Sequence, residues 1–488
     1  MTLSRRRFLS SSSAALAALG APAVAWPSLS RRSPNEELRV AVVGVRGRGM
    51  AHVNGFGRLA NVRVVALVDV DSEVLGRRKK ELGERGVEVT THADLREVLE
   101  RDDIDIVSIA SPNHWHALQA IWSCQAGKDV YVEKPISHDP WEGARLVEAA
   151  RKYGRIVQTG TQCRSSRGLQ EAIRWVQEGN LGKIKHVRGL CYKPRRSIGK
   201  VQGPQEPPAS VDYDLWTGPA PLVPLHRRQL HYDWHWDHAT GNGDLGNQGV
   251  HQMDIARWIA GHDGLPDLSV SVGGRLGYDD DGNTPNTQVV MHHYEGGPDL
   301  IFEVRGLPRD KAAQAEDWGG RMDSAFGVRI GVLVNCEGGA LRIPSYESAT
   351  AFDRESVEVK SWREGGDHFA NFVDAVRSRE RGDLTADIHE GDLSSTLCHL
   401  GNLSLRVGRP ATMEDIQDAM TKVPLAAESC LRMVAHLEAN GVDLEKTPLT
   451  RGAALRVDGK SGEIVGNEVA ARLAHPDYRA PFVVPSEV

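Results

Sequence analysis

Residues 38 to 69 constrain the fold more than any other stretch. The apolar run Leu38–Arg39–Val40–Ala41–Val42–Val43 enters Gly44–Val45–Arg46–Gly47–Arg48–Gly49, and residues 50–59 then carry a helical pattern. A second apolar run, 62–68, ends on Asp69. A strand, a glycine-rich turn, a helix and a strand closing on a carboxylate form the start of a parallel, doubly wound sheet. The units that follow keep the rhythm: helices over 72–84, 94–100, 115–126 and 140–152 alternate with strands over 104–110, 129–132 and 155–159.

Past residue 160 the pattern changes. A helix over 166–178 leads to a strand over 184–190, then a Pro-rich loop from Pro194 to Pro224. Strands over 267–275, 286–293, 299–305, 328–335 and 340–342 follow, with no helix between the middle three, which predicts a largely antiparallel sheet. Helices over 367–378 and 391–406 return the chain to the core. The predicted class is α/β: a Rossmann domain over 36–160, a second α/β domain with an open sheet over 161–410, and an extension over 411–488 packed on the core.

The first thirty residues stand apart. Ser4–Arg5–Arg6–Arg7–Phe8–Leu9 opens a weakly apolar Ser/Ala/Leu stretch that closes on Ala23–Val24–Ala25. This matches a twin-arginine export signal over 1–30 and predicts a periplasmic or otherwise extracytoplasmic protein. No later run approaches the roughly 20 apolar residues a membrane span needs. A net charge of −6 gives no reason to expect nucleic acid. The cysteines at 124, 163, 191, 336, 398 and 430 have no paired spacing and read as buried thiols.

The glycine-rich turn predicts a dinucleotide site, because backbone amides at a helix N-terminus receive a pyrophosphate. Gly44 and Gly49 fill the outer positions of GxGxxG, Arg46 replaces the middle glycine, and Gly47 beside Arg48 supplies freedom by a shifted loop. Asp69 lies where a carboxylate accepts both ribose hydroxyls and, with Asp71, repels a 2′-phosphate, so NAD is expected over NADP. Ser111–Pro112–Asn113–His114–Trp115–His116 follows the strand over 104–110. Ser111, Pro112, Asn113 and His116 are cofactor candidates and His114 a substrate candidate, although Pro112 and Asn113 read equally as a helix-capping turn.

Two further groups carry chemistry. Lys134 ends the strand over 129–132, within Glu133–Lys134–Pro135, at the edge where open α/β sheets bind ligands. Glu133 and Lys134 are also assigned to the cofactor side. On one continuous helix, Asn247, His251 and Asp254 would share a face, with His251 able to take a hydroxyl proton opposite Lys134. The run His231–Tyr232–Asp233–Trp234–His235–Trp236–Asp237–His238 offers flat faces and hydrogen-bonding groups suited to a pyranose, with Tyr232, Trp234 and Trp236 as walls and Asp212–Trp216 as a further one. Its histidines also allow a metal, but the reading does not need one and none is assigned.

The segments Ala126–Pro135, Ser111–His116, Gly160–Thr161–Gln162 and Gly246–Asp254 together resemble the glucose-fructose oxidoreductase, inositol dehydrogenase and rhizopine-catabolism (Gfo/Idh/MocA) family, in a twin-arginine-exported branch. The resemblance implies a nicotinamide cofactor, a small sugar, sugar derivative or glycoside as substrate, and a dimer or tetramer. It implies that Lys134 is the family's EKP lysine and His251 its proton-transferring histidine. Asn247 stands where many family dehydrogenases carry aspartate, so it holds a hydroxyl but is no base. Three functions stay open at this point: net sugar oxidation, glycoside cleavage through transient oxidation at C3 and elimination, and sugar binding without turnover.

Overall fold

The computed structural model describes residues 36–412, 414–416, 424–459 and 461–488. The export segment expected over 1–30 lies outside them.

The first sheet is parallel, in the order β3-β2-β1-β4-β5-β6. Its strands are β1 (Leu38–Val43), β2 (Val62–Val68), β3 (Thr90–His92), β4 (Ile106–Ile109), β5 (Asp129–Val132) and β6 (Val157–Thr159). The order reverses between β1 and β4, which opens a crevice at the carboxyl edge. Beyond the strands the ladder continues in line: Gly44 N–H donates to Val68, Ala110 to Val43, Glu133 to Ile109 and Gly160 to Val132. The glycine turn, the turn after β4, Lys134 and the Gly160 loop therefore emerge side by side.

The second sheet has 12 strands, ten of them in the order β14-β13-β12-β11-β7-β10-β9-β8-β16-β15. Its main strands are β7 (Ile184–Tyr192), β8 (Leu268–Gly274), β9 (Thr287–His293), β10 (Asp299–Arg305), β11 (Ile330–Cys336), β12 (Gly339–Ile343), β13 (Ser348–Asp353) and β14 (Glu358–Arg363). Only β7 and β10 pair in parallel; the remaining pairs are antiparallel. Alternate residues of one strand serve opposite faces. Val290 and Phe302 meet the helices Gly249–Ala260 and Ile388–Arg406, whereas Val289 and Ile301 meet Cys430, Met433 and Leu437 of the helix Pro424–Ala439.

The structure departs from the sequence expectations in several places. A helix, Lys311–Glu316, does lie between β10 and β11, started by the Asp310 carboxylate accepting from the Ala313 amide. β13 and β14 extend the sheet over a stretch given no element. The tail adds β15 (Arg409–Pro410), β16 (Thr450–Arg451), β17 (Leu455–Val457) and β18 (Ile464–Val465), too short to carry a period. The helix through Asn247 and His251 is broken at Gln248 into Gly243–Asn247 and Gly249–Ala260.

Both faces of the first sheet are completed from far along the chain. The helix His368–Ser378 places Phe369, Phe372 and Val376 against Val40, Phe56 and Tyr131. On the other face Phe482, Val484 and Val488 join Val107, Trp115 and Leu118. Phe482 is 2% exposed, so Phe482→Ala removes a buried ring and leaves a cavity. The expected loss is about 3–5 kcal/mol of stability, read by denaturant unfolding; a loss below about 1 kcal/mol would mean that the tail is not part of this core.

Candidate active site

Gly44 has φ +78, and a Cβ there would meet the Ala110 carbonyl oxygen at 2.5 Å. A Cβ on Gly49 would meet the Gly44 oxygen at 2.3 Å. Both glycines are therefore dictated by backbone approach. Gly47 starts the helix Arg48–Gly57 and faces open space, which a Cβ would enter. Arg78 clamps the turn from behind by donating to the carbonyls of Val45 and Arg46.

Beside this turn lies a cleft of about 360 Å³ lined by Gly44, Arg46, Gly47, Arg48, Asp69, Ser111 and Pro112. The Asp69 carboxylate accepts from the amides of Val45 and Asp71 at 2.9 and 3.1 Å. Burial pushes its pKa up, and the two amides oppose that shift. A glycine turn without Cβ obstruction and a carboxylate fixed at the end of β2 fit a dinucleotide.

The opposite wall comes from the segment between β7 and β8, through Leu215, Trp216, His231, Tyr232, Trp234 and His235. His231 Nε2 lies 2.8 Å from Asp71 Oδ2. Ser72 N–H donates to Ser210, and Asp212 N–H to Val70. Tyr232 and Trp234, expected as sugar walls, thus roof the dinucleotide cleft. Trp236 is 4% exposed and packs under the Arg195 guanidinium at 5.1 Å, so it offers no open face.

Several polar candidates turn out to be internal ties. The His114 ring lies between the carbonyls of Thr240 and Trp216, at 3.2 and 3.0 Å, and burial lowers its pKa to about 3. It pins the roof to the helix Asn113–Gln125 rather than meeting substrate. His116 lies between the carbonyls of Pro135 and Ser111, tying two strand-end turns together. Asn113 is buried and donates to Asn242 Oδ1 at 3.2 Å. Asp254 is fully buried, accepting from Arg164 at 2.8 Å and from Ser394 at 2.7 Å, which removes it from the substrate side.

Glu133 is likewise interior, 3% exposed, and organises the edge rather than lining the cleft. Its carboxylate accepts from Arg48 Nε at 2.7 Å and lies 3.1 Å from His52 Nε2. Burial would raise its pKa, but the Arg48 guanidinium and the His52 contact hold it well below the usual range. A Cβ on Gly160 would lie 3.0 Å from this carboxyl group, so the glycine of Gly160–Thr161–Gln162 leaves room for it.

The adjacent Lys134 crosses to the second domain and donates through Nζ to the Asn247 carbonyl at 3.0 Å. Burial lowers its pKa, Glu133 opposes this, and Arg48 and Lys193 add to the lowering. Asn247 thus contributes its backbone oxygen at the break before Gly249. His251 is buried one turn on, with Nδ1 unpartnered and its ring 5.0 Å from that of Tyr346. Burial first, then the Lys134 charge, hold its imidazole neutral. Gln248 bridges Lys193 Nζ, at 2.6 Å, and the Tyr346 hydroxyl, at 2.7 Å. Arg195 pairs with Asp244 through Nη2 at 2.7 Å.

Sequence reasoning missed His52, Lys193, Arg195, Gln248 and Tyr346. Lys193–Pro194–Arg195–Arg196 does immediately follow β7, a basic strand end comparable to Lys134. Nothing local marks His52 or Tyr346. Among the described residues no group of three His, Cys, Asp or Glu side chains could hold a metal.

The fold and this edge define a two-domain dinucleotide-binding protein. Residues 38–161 match the family described as "Oxidoreductase family, NAD-binding Rossmann fold", and residues 175–335 match its "C-terminal alpha/beta domain". The chain belongs to the Gfo/Idh/MocA oxidoreductase family. Curated relatives include glycosyl hydrolase family 109 protein 2 of Shewanella sp. (strain ANA-3), 32% identical over 31% of this chain and 34% of that protein. An alpha-N-acetylgalactosaminidase of Shewanella oneidensis is 30% identical over 31% of this chain and 34% of its own length. The matched stretch thus spans about a third of these relatives. Among solved structures, the WlbA dehydrogenase from Bordetella pertussis, in complex with NADH and UDP-GlcNAcA, has a TM-score of 0.54 at 18% identity, covering 75% of this chain and 95% of that one. Levoglucosan dehydrogenase, in complex with NADH and levoglucosan, has a TM-score of 0.53 at 17% identity, covering 75% and 96%.

The cleft geometry generates one expectation about cofactor choice. Asp69→Ala removes the carboxylate at the ribose end, so affinity for NAD should fall more than affinity for NADP in fluorescence titrations. A wild-type protein that binds NADP more tightly than NAD would contradict the role given to Asp69.

Proposed function

We propose that this protein is an exported NAD-dependent oxidoreductase acting on a sugar, sugar derivative or glycoside, with the cofactor tightly held. The observation that carries the reading is the Lys134 bond to Asn247, which joins the cofactor edge of β5 to the segment bearing His251. A nicotinamide ring, when bound, accepts hydride from carbon. His251, held neutral, takes the hydroxyl proton as the carbon loses hydride and the C–O bond becomes C=O. Lys134 holds the reacting oxygen and stabilises the negative charge it gains. Asn247 and the residues around Tyr346 position the ring.

The roof over the cleft favours retention. His231 on Asp71, and His114 between Thr240 and Trp216, tie that roof to the first domain. Export of the folded protein, read from residues 1–30, adds a reason: little free NAD exists outside the cytoplasm to replace a spent molecule. A retained cofactor needs regeneration in place, either by a second carbonyl acceptor or by return of hydride to the same substrate. The second route suits glycoside cleavage without net oxidation, and the family 109 names among the curated relatives favour keeping it as the alternative.

Two measurements test the reading. Lys134→Met and His251→Ala should each lower turnover by ~10²-fold or more, the scale of a lost general acid–base group; near-normal turnover in a folded variant would remove that residue from the mechanism. Purified protein should carry NAD(H) through gel filtration and turn over repeatedly without added cofactor. An apo protein that works only with free NAD, releasing one NADH per product, would refute retention.

A further inference from the structure

The carboxylates at the mouth of the site are spent on guanidinium groups. Glu133 binds Arg48 at 2.7 Å and Asp244 binds Arg195 at 2.7 Å. Two ammonium groups are left with neutral partners: Lys134 on the Asn247 carbonyl and Lys193 on the Gln248 side-chain oxygen. Among the described residues neither forms an ion pair. Their acceptors are consecutive residues at the break in the helix, so both charges converge on the approach to His251.

A half-buried cation with only a neutral acceptor keeps most of its desolvation cost, and an anion brought to it removes that cost. The site therefore holds excess positive charge where a substrate must lie, and the Arg195 fork beside Lys193 is already engaged by Asp244. We propose that the sugar bound here carries a carboxylate, as a uronic acid does, held by Lys193 with Lys134 beside it. The ammonium of Lys193 is a compact charge that meets one carboxylate oxygen, and the Arg195 fork beside it is taken up by Asp244. Burial and the neighbouring Arg195 lower the Lys193 pKa, Asp244 opposes them only in part, and a bound carboxylate would oppose the shift further.

This inference rests on the sugar-oxidoreductase reading and deepens it by naming the substrate class. The test is calorimetric binding to the purified cofactor-loaded protein of matched pairs: glucuronate against glucose, galacturonate against galactose, and their methyl glycosides. The carboxylates should bind about tenfold or more tightly than their neutral partners. Lys193→Gln should bring the two to similar affinity, and Lys193→Arg should keep the preference. Equal affinity of the matched pairs would overturn the inference, as would a preference that survives Lys193→Gln or a stronger preference for hexose 6-phosphates. Hydride transfer, followed by nicotinamide absorbance in the same samples, reports on the oxidoreductase reading alone. Preferential uronate binding without hydride transfer would sink that reading and leave the charge assignment standing.

Discussion

The buried Glu133 carboxylate is the constraint on which this edge depends. A charge with 4% of its side chain exposed persists only if fixed partners replace water. Arg48 comes from the first turn after the glycine loop, and His52 from one turn further, where its Nδ1 also contacts Ser108 Oγ of β4 at 2.8 Å. Gly160 leaves the space after β6. Thus one carboxylate couples the cofactor turn to β4, β5 and β6, and the next residue in the chain is Lys134. The position of the ammonium is set by the same group that anchors the cofactor turn.

A second coupling acts between domains. The helix His368–Ser378 and the tail around Phe482 fill opposite faces of the first sheet, although both lie beyond β14 in sequence. The segment between β7 and β8 then folds back over the cleft and is held by His231 and His114. Three separated stretches therefore complete the dinucleotide-binding half. The roof over the cleft is thus tied to the first domain at two imidazoles, one buried and one half-buried.

The alternation of strands with helices, the outer glycines of the turn and Asp69 were legible in the sequence because each follows from local geometry: a period, a Cβ clash, a strand end. Lys134 and His251 were legible as candidates by position and resemblance. The fates of His114, His116 and Asp254 were not. A polar residue that satisfies buried carbonyls or a buried guanidinium has the same one-letter identity as one that faces ligand, and its partners here lie as far away as residues 164, 216, 240 and 394. β13 and β14 escaped because their faces are half-exposed and their pattern is weak. The aromatic cluster reads in the sequence as a sugar wall, yet a flat face stacks on a base or a sugar alike, and the structure places Tyr232 and Trp234 on the cleft beside Asp69 and buries Trp236.

The division of labour between arginine and lysine follows from their chemistry. Guanidinium stays charged at any working pH, so Arg48, Arg164 and Arg195 suit permanent ties to Glu133, Asp254 and Asp244, with Arg164 and Arg195 holding their carboxylates in planar forks. An ammonium is a movable point charge whose proton affinity shifts with burial, and the two at the mouth, Lys134 and Lys193, are both shifted down. Arginine in those places would keep the charge but make it a planar, non-titrating group. The charges that tie the scaffold are thus non-titrating, while the two ammonium groups keep a proton affinity set by their surroundings.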